Sequence, residues 1–438
     1  MSEEFPATKI DEARLISKIA VRIIPLVAIG LVVAYIDRSN IGMASLTMGG
    51  DLGLNATILG WGAGIFFFGY VLFEVPSNMV LARVGARIWL CRIMVTWGIV
   101  SIAMALVRDA QSFYIARFLL GAAEAGFVPG VIYYFSHWFP ARYRTRMFGL
   151  FIAANPVAGV IGNPISGFLL QLDGWLGLRG WQWIFVIEGI PAIILAFAIY
   201  MYLPDGPRSV TWLEAEESKW LKDRLAAERS AKAVIRIDNF RNLLLDGRVW
   251  ILTLAYLGIA SGSYGIIFWL PQILKGFGLD NVTIGLLAAT PWLCAAVGTV
   301  LWSLWADRAR DRAMHLGAAC FTGFVGLAIA AYAGSPAVSL AGLAAAAVGI
   351  LSATAIFWAL PTTLLSGAGL AAGVAFINAI GSFGGFLGPY LMGWLKDFTG
   401  DYKIGLVVLA SGEILAAAIA ISFRHRLLAT QARIAPAA

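Results

Sequence analysis

Apolar runs about twenty residues long recur along the whole chain, separated by short polar stretches, and this recurrence dictates the fold class before any motif is read. A bilayer core roughly 30 Å thick is crossed by about 20 residues of α-helix rising 1.5 Å each. Backbone N–H and C=O groups find no water partners in hydrocarbon, so runs of this length satisfy them as helices. The sequence predicts twelve spans, at approximately 22–48, 57–82, 88–107, 111–135, 146–171, 181–203, 249–273, 283–306, 314–334, 337–361, 371–395 and 402–424. With 60% hydrophobic residues, 13% charged residues and a mean hydropathy of +0.80, a soluble globular chain is excluded.

Lys and Arg concentrate in short cytoplasmic loops, so their distribution orients the spans. One set of segments carries sixteen of them, including Arg14, Lys18, Arg83, Arg87, Arg142, Arg144, Arg146, Arg308, Arg310 and Arg312; the opposite loops carry Arg108, Arg179, Lys275, Lys396 and Lys403. Both termini are therefore expected in the cytoplasm of a cell inner (plasma) membrane protein. The net charge of +7 follows from this bias, and its dispersal over several segments gives no reason to expect a nucleic-acid partner. The first eighteen residues are polar and show no cleavable secretion signal. Cys91, Cys294 and Cys320 lack metal-ligand spacing and are expected as buried packing thiols. His137, His315 and His425 fall in connections, too scattered for a metal site or an intramembrane relay. No cofactor is expected beyond a proton as coupling ion.

The breaker cluster Pro204-Asp205-Gly206-Pro207 divides the chain into an amino-terminal segment (1–18), a six-helix bundle (19–203), a central cytoplasmic loop (204–248), a second six-helix bundle (249–424) and a tail (425–438). Thr211 with Glu214 fits a capping box opening a surface helix, with Lys219–Asp223 and Arg224–Glu228 pairs on it; a solvated linker helix is expected. The halves echo one another. Gly159 precedes Pro164 within GVIGNP, as Gly384 precedes Pro389 within GGFLGP, predicting close packing and a break in each hydrogen-bond ladder. LARVGAR and WADRARDR occupy equivalent loops. An all-α fold of two pseudo-symmetric six-helix bundles suits a transporter rocking about a central site, complete within a monomer.

Asp37 and Arg38 stand side by side in the first span. A central charge costs about 2.5–3.5 kcal/mol on insertion scales, so it persists where it faces protein or a watered cavity. Arg38 offers a planar fork for a carboxylate and is the expected substrate anchor. Asp37 and Glu124 are the candidate proton carriers, with Arg38 acting electrostatically on Asp37. Arg117, two helical turns before Glu124, is expected to pair with it. Tyr35, Tyr70, Asn155, Trp358 and Asn378 supply hydroxyl, amide or ring contacts for the anion. Glu188 and Glu413 lie nearer span ends, where they can snorkel. Glu74, Arg142, Arg146, Asp307, Arg308 and Arg312 are expected to form a cytoplasmic latch that breaks in the inward-open state.

The Gly- and Arg-bearing loops after spans two and eight, in a six plus six plan, resemble the major facilitator superfamily. YIDRSNIG, FGYVLFEVPSN, RFLLGAAEAGFVPG and GWQWIFVIEGIPA resemble, more narrowly, its anion:cation symporter family, from about Ala20 to Phe423. Ala82 stands where the superfamily's loop motif has Asp, whereas the second copy keeps Asp307 and Arg308. The resemblance implies proton-coupled uptake of tartrate, a sugar acid or an aromatic carboxylate, with acids at matching positions carrying the proton. An exchanger or facilitator of the same fold would retain Arg38 without proton dependence. A membrane enzyme would need a nucleophile, metal or acid–base cluster that the His and Cys residues do not supply.

Overall fold

The structure, a computed structural model, describes residues 10–207, 210–231, 245–308, 311–358, 360–361 and 368–424. Among them are twelve helical spans long and apolar enough to cross a membrane. The first six are built from α1 (Glu12–Leu52), α2 (Ala56–Val84), α3 (Ala86–Ala103), α4 (Ala110–Glu124) followed by α5 (Phe127–Trp138), α6 (Ala141–Ile152) followed by α7 (Asn155–Leu169), and α8 (Gly180–Tyr202). After α9 (Ala215–Ala231) come α10 (Gly247–Lys275), α11 (Asn281–Arg308), α12 (Arg312–Ala331), α13 (Pro336–Phe357), α14 (Ala368–Gly381) followed by α15 (Gly384–Thr399), and α16 (Lys403–Ser422). The first span starts earlier than hydropathy suggests, because the Asp11 side chain accepts from the Arg14 backbone N–H and caps a helix that is amphipathic before it becomes apolar.

Three spans are interrupted, and the interruptions are not at the expected prolines. Pro164 and Pro389 sit inside α7 and α15; the breaks fall upstream, at Ala153–Ala154 and Ser382–Phe383. A proline removes one N–H, here the partner of the Val160 carbonyl, yet α7 runs on through Pro164; the neighbouring Asn163 side-chain amide donates to Gly159 O at 2.8 Å. The third break, after Glu124, uses Gly126 at φ +92°, a conformation costly for any residue with a Cβ.

Large apolar side chains such as Leu72, Ile194, Met201, Leu301 and Phe321 are exposed on the outer faces, as a hydrocarbon solvent requires. Cys320 is buried and Cys91 half-buried, but Cys294 is exposed on α11, so it is not the packing thiol expected.

The halves pack closely at the end away from the chain termini. There the Asp397 carboxylate accepts from the backbone N–H groups of Ala56 (3.2 Å) and Thr57 (2.8 Å) and from Thr57 Oγ1 (2.6 Å), capping α2 from the opposite half. Gln272 Nε2 donates to Ser45 Oγ at 2.9 Å. Gly60 lies against the Pro389 carbonyl, and Gly167 against Gly285, leaving no room for side chains. At the terminal end, Lys18–Glu217, Arg87–Asp205, Arg144–Glu228 and Arg424–Asp311 each join residues within the first half and central loop or within the second half.

The central helix is not a free solvated linker. Leu221 and Leu225 of α9 are buried against the first half, Glu217 pairs with Lys18 at 2.6 Å, and Trp212 stacks on Trp138 with centroids 5.8 Å apart. The expected Thr211 box gives way to a cap one turn later: the Glu214 N–H donates to Glu217 Oε2 at 2.9 Å.

Candidate anion and proton site

Adjacent residues on a helix project about 100° apart, and α1 uses that angle to send Asp37 and Arg38 into different surroundings. Arg38 turns toward α2 and α4. Its Nε donates to Glu124 Oε1 at 2.7 Å, and Nη2 lies 2.5 Å from the same oxygen. The guanidinium carbon is 5.0 Å from the ring centroids of both Tyr35 and Tyr70 and 5.4 Å from that of Phe66, so aromatic faces complete the cradle. Glu124 is 1% exposed, and its Oε2 has no hydrogen-bond partner among the described residues. The turn at Ala125–Gly126 ends α4 at this carboxyl, which fixes its depth.

Asp37 points the other way, into the first bundle. It accepts from Trp97 Nε1 at 2.9 Å, Ser101 Oγ at 2.7 Å and Asn40 Nδ2 at 3.5 Å. The expected direct pull of Arg38 on Asp37 is thereby corrected: the Arg38 partner is Glu124, because α4 places its carboxyl on the side that Arg38 faces.

Arg117 also departs from expectation. Instead of pairing with Glu124, it donates from Nε to Gly62 O at 3.1 Å and from Nη2 to Ala63 O at 3.3 Å, leaving Nη1 without a hydrogen-bond partner among the described residues. Both guanidiniums line a small cavity, together with Phe66, Phe67, Tyr264 and Phe268. Two permanent cations face it against one acid that already holds one of them. Such an arrangement favours an anion.

The other expected ligands stand apart from this lining. Trp358 packs edge-on against Tyr256, with centroids 4.8 Å apart; Asn155 and Asn378 are half-buried on α7 and α14, without side-chain hydrogen bonds among the described residues. Tyr264, which the sequence reading passed over, enters instead from α10, its ring 4.5 Å from that of Phe67. Its signal was an amphipathic aromatic in a span, shared with too many others to single it out.

Glu188 and Glu413 do not snorkel: they are 5% and 0% exposed, deep in the first and second bundles. Among the expected latch residues, Arg142, Arg146, Arg308 and Arg312 are exposed and Glu74 is half-buried; the Asp307 side chain lies outside the described residues. Among the described residues, no cluster of three His, Cys, Asp or Glu could hold a metal ion.

Residues 27–389 match the family described as the Major Facilitator Superfamily. The chain is 48% identical over 408 residues, covering 93% of itself and 90% of the relative, to a protein of Agrobacterium vitis named "Putative tartrate transporter". It is 42% identical, covering 91% of itself and 92% of the relative, to a "Quinolone resistance transporter" of Acinetobacter baumannii. Its fold is similar to that of the xylose transporter XylE from E. coli in an inward open conformation, with a TM-score of 0.75 at 14% identity, over 93% of this chain and 96% of that one.

Proposed function

Because the chain belongs to the Major Facilitator Superfamily, a family of membrane transporters rather than enzymes, we propose that it takes up a small organic anion together with protons by alternating access. The favoured substrate class is a hydroxy-dicarboxylate such as tartrate, or a sugar acid. The observation that carries this reading is the buried Arg38–Glu124 pair beside the cavity. A substrate carboxylate and the ionised Glu124 compete for one guanidinium, so protonating Glu124 releases Arg38 to the anion. Proton and substrate then bind together. Arg117 Nη1 offers a second cationic donor, which suits a molecule with two acidic groups, and Tyr35, Tyr70 and Tyr264 supply hydroxyls and ring faces. The tartrate name of the Agrobacterium vitis relative supports this class.

An aromatic carboxylate is the second reading, supported by the ring-rich cradle and by the relative named for quinolones, which carry such a group. On this reading the basic loops mark the terminal end as cytoplasmic, and close packing at the opposite end corresponds to an inward-facing state, in which a cytoplasmic latch is expected to open. The protein acts as a multi-pass monomer in the inner membrane, with the lipid bilayer as its partner and no cofactor.

Purified protein in proteoliposomes tests the proposal. Labelled tartrate, a sugar acid and an aromatic acid are offered with and without an inward proton gradient. Accumulation should follow the gradient in the parent and lose that response in Asp37→Asn and Glu124→Gln while counterflow persists. Gradient-independent uptake by the parent would make it an exchanger or facilitator.

A further inference from the structure

Behind Asp37 lies a second buried carboxyl that the transport cycle above does not use. Glu188, on α8, accepts from Ser166 Oγ of α7 at 2.6 Å through Oε1. Its Oε2 is buried and has no hydrogen-bond partner among the described residues. The Asn40 amide of α1 sits against this carboxyl on one side and donates to Asp37 on the other. Asn40 Oδ1 is likewise a buried acceptor without a donor. Both oxygens are buried acceptors, and a proton on Glu188 Oε2, with the Asn40 amide turned to present its carbonyl to it, satisfies the two at once.

No cation acts directly on Glu188 among the described residues. The charged group facing Glu188 is Asp37, from α1; α7 presents Ser166, and α3 presents Trp97 and Ser101 to Asp37. Asp37 in turn feels Glu124 and Arg117 across α4. Two carboxyls in one dry pocket do not both remain ionised without a cation to hold them.

We propose that Glu188 and Asp37 form a proton-sharing pair bridged by Asn40, so that one proton resides on Glu188 when Asp37 is ionised and on Asp37 when Glu188 is ionised. In the first state the Asn40 NH₂ donates to Asp37 and its carbonyl accepts from Glu188. In the second the amide is turned over and both bonds are reversed. One O–H bond forms as the other breaks, and no other group gains or loses a proton. Glu188 is thereby a positioning residue that sets where the proton waits behind the site. The inference rests on the reading of Asp37 as a proton carrier.

Infrared spectra of the purified protein in lipid test it without a substrate. Subtracting the E188Q spectrum from the parent's should reveal a protonated-carboxyl band that moves on hydrogen–deuterium exchange, and N40A should shift that band's frequency. An E188Q spectrum identical to the parent's in this region overturns the pair; if E188Q does not fold, an unshifted band in N40A does the same. In transport, E188Q should lose proton-driven accumulation while retaining counterflow. A parent indifferent to the proton gradient would instead refute the coupling reading, leaving the infrared result to decide whether the pair holds a proton.

Discussion

Replacing Glu124 with Gln should make the protein bind its anion more tightly while destroying its ability to concentrate it. In the parent, Glu124 occupies Arg38 through one oxygen, at 2.7 Å from Nε and 2.5 Å from Nη2. A hydrogen bond involving a charged group contributes about 1.5–3 kcal/mol; Gln keeps such a bond to the Arg38 guanidinium but loses the carboxylate's charge, so Glu124→Gln moves the competitor from the strong to the weak end of that range, by about 1–1.5 kcal/mol. The anion's affinity should then rise about fivefold to twelvefold. The parent's affinity should strengthen as pH falls, because protonating Glu124 removes the same competitor; in Glu124→Gln that dependence should be lost or sharply reduced. Titration calorimetry of parent and variant on either side of neutrality measures both quantities. Weaker binding by the variant, or an undiminished pH dependence, would refute the competition.

The closed end offers its own tests. Asp397→Ala removes three hydrogen bonds across the halves to the first turn of α2; a loss of about 1–2 kcal/mol should change the ratio of the two facing states roughly five- to thirtyfold, read as faster labelling of an Ile58→Cys reporter by an impermeant maleimide. Gly60→Val pushes a side chain into the Pro389 carbonyl, so transport should cease with the protein held open at that end; full uptake would mean the halves do not close there. Trp212→Ala removes the stack on Trp138 and the Arg22 contact at 4.8 Å, and should speed proteolysis within 210–231 with little change in the melting temperature.

Hydropathy made the spans legible because the cost of putting polar groups in hydrocarbon is local to each segment. The same reasoning found Arg38, Asp37 and Glu124, since a charge deep in a span stands out without any knowledge of its neighbours. Which acid holds Arg38 was not legible. It depends on where α4 ends relative to α1, and hence on the left-handed turn at Gly126. Arg117 looked like the partner of Glu124 because spacing along a helix is visible in sequence, whereas carbonyls offered by a neighbouring helix are not. Glu188 and Glu413 were misplaced for a related reason: hydropathy locates a residue along a span but not whether it faces lipid or interior. On α9 the charges were read as a sign of solvation, while Leu221 and Leu225 docked against the first bundle.

The central claim is that one guanidinium serves Glu124 and the transported anion in turn. It is tested most directly by measuring anion binding to Arg38→Ala beside the parent, with the acid that the uptake screen identifies. Loss of detectable binding in a variant that still folds is the expected result; an affinity equal to the parent's would contradict the account.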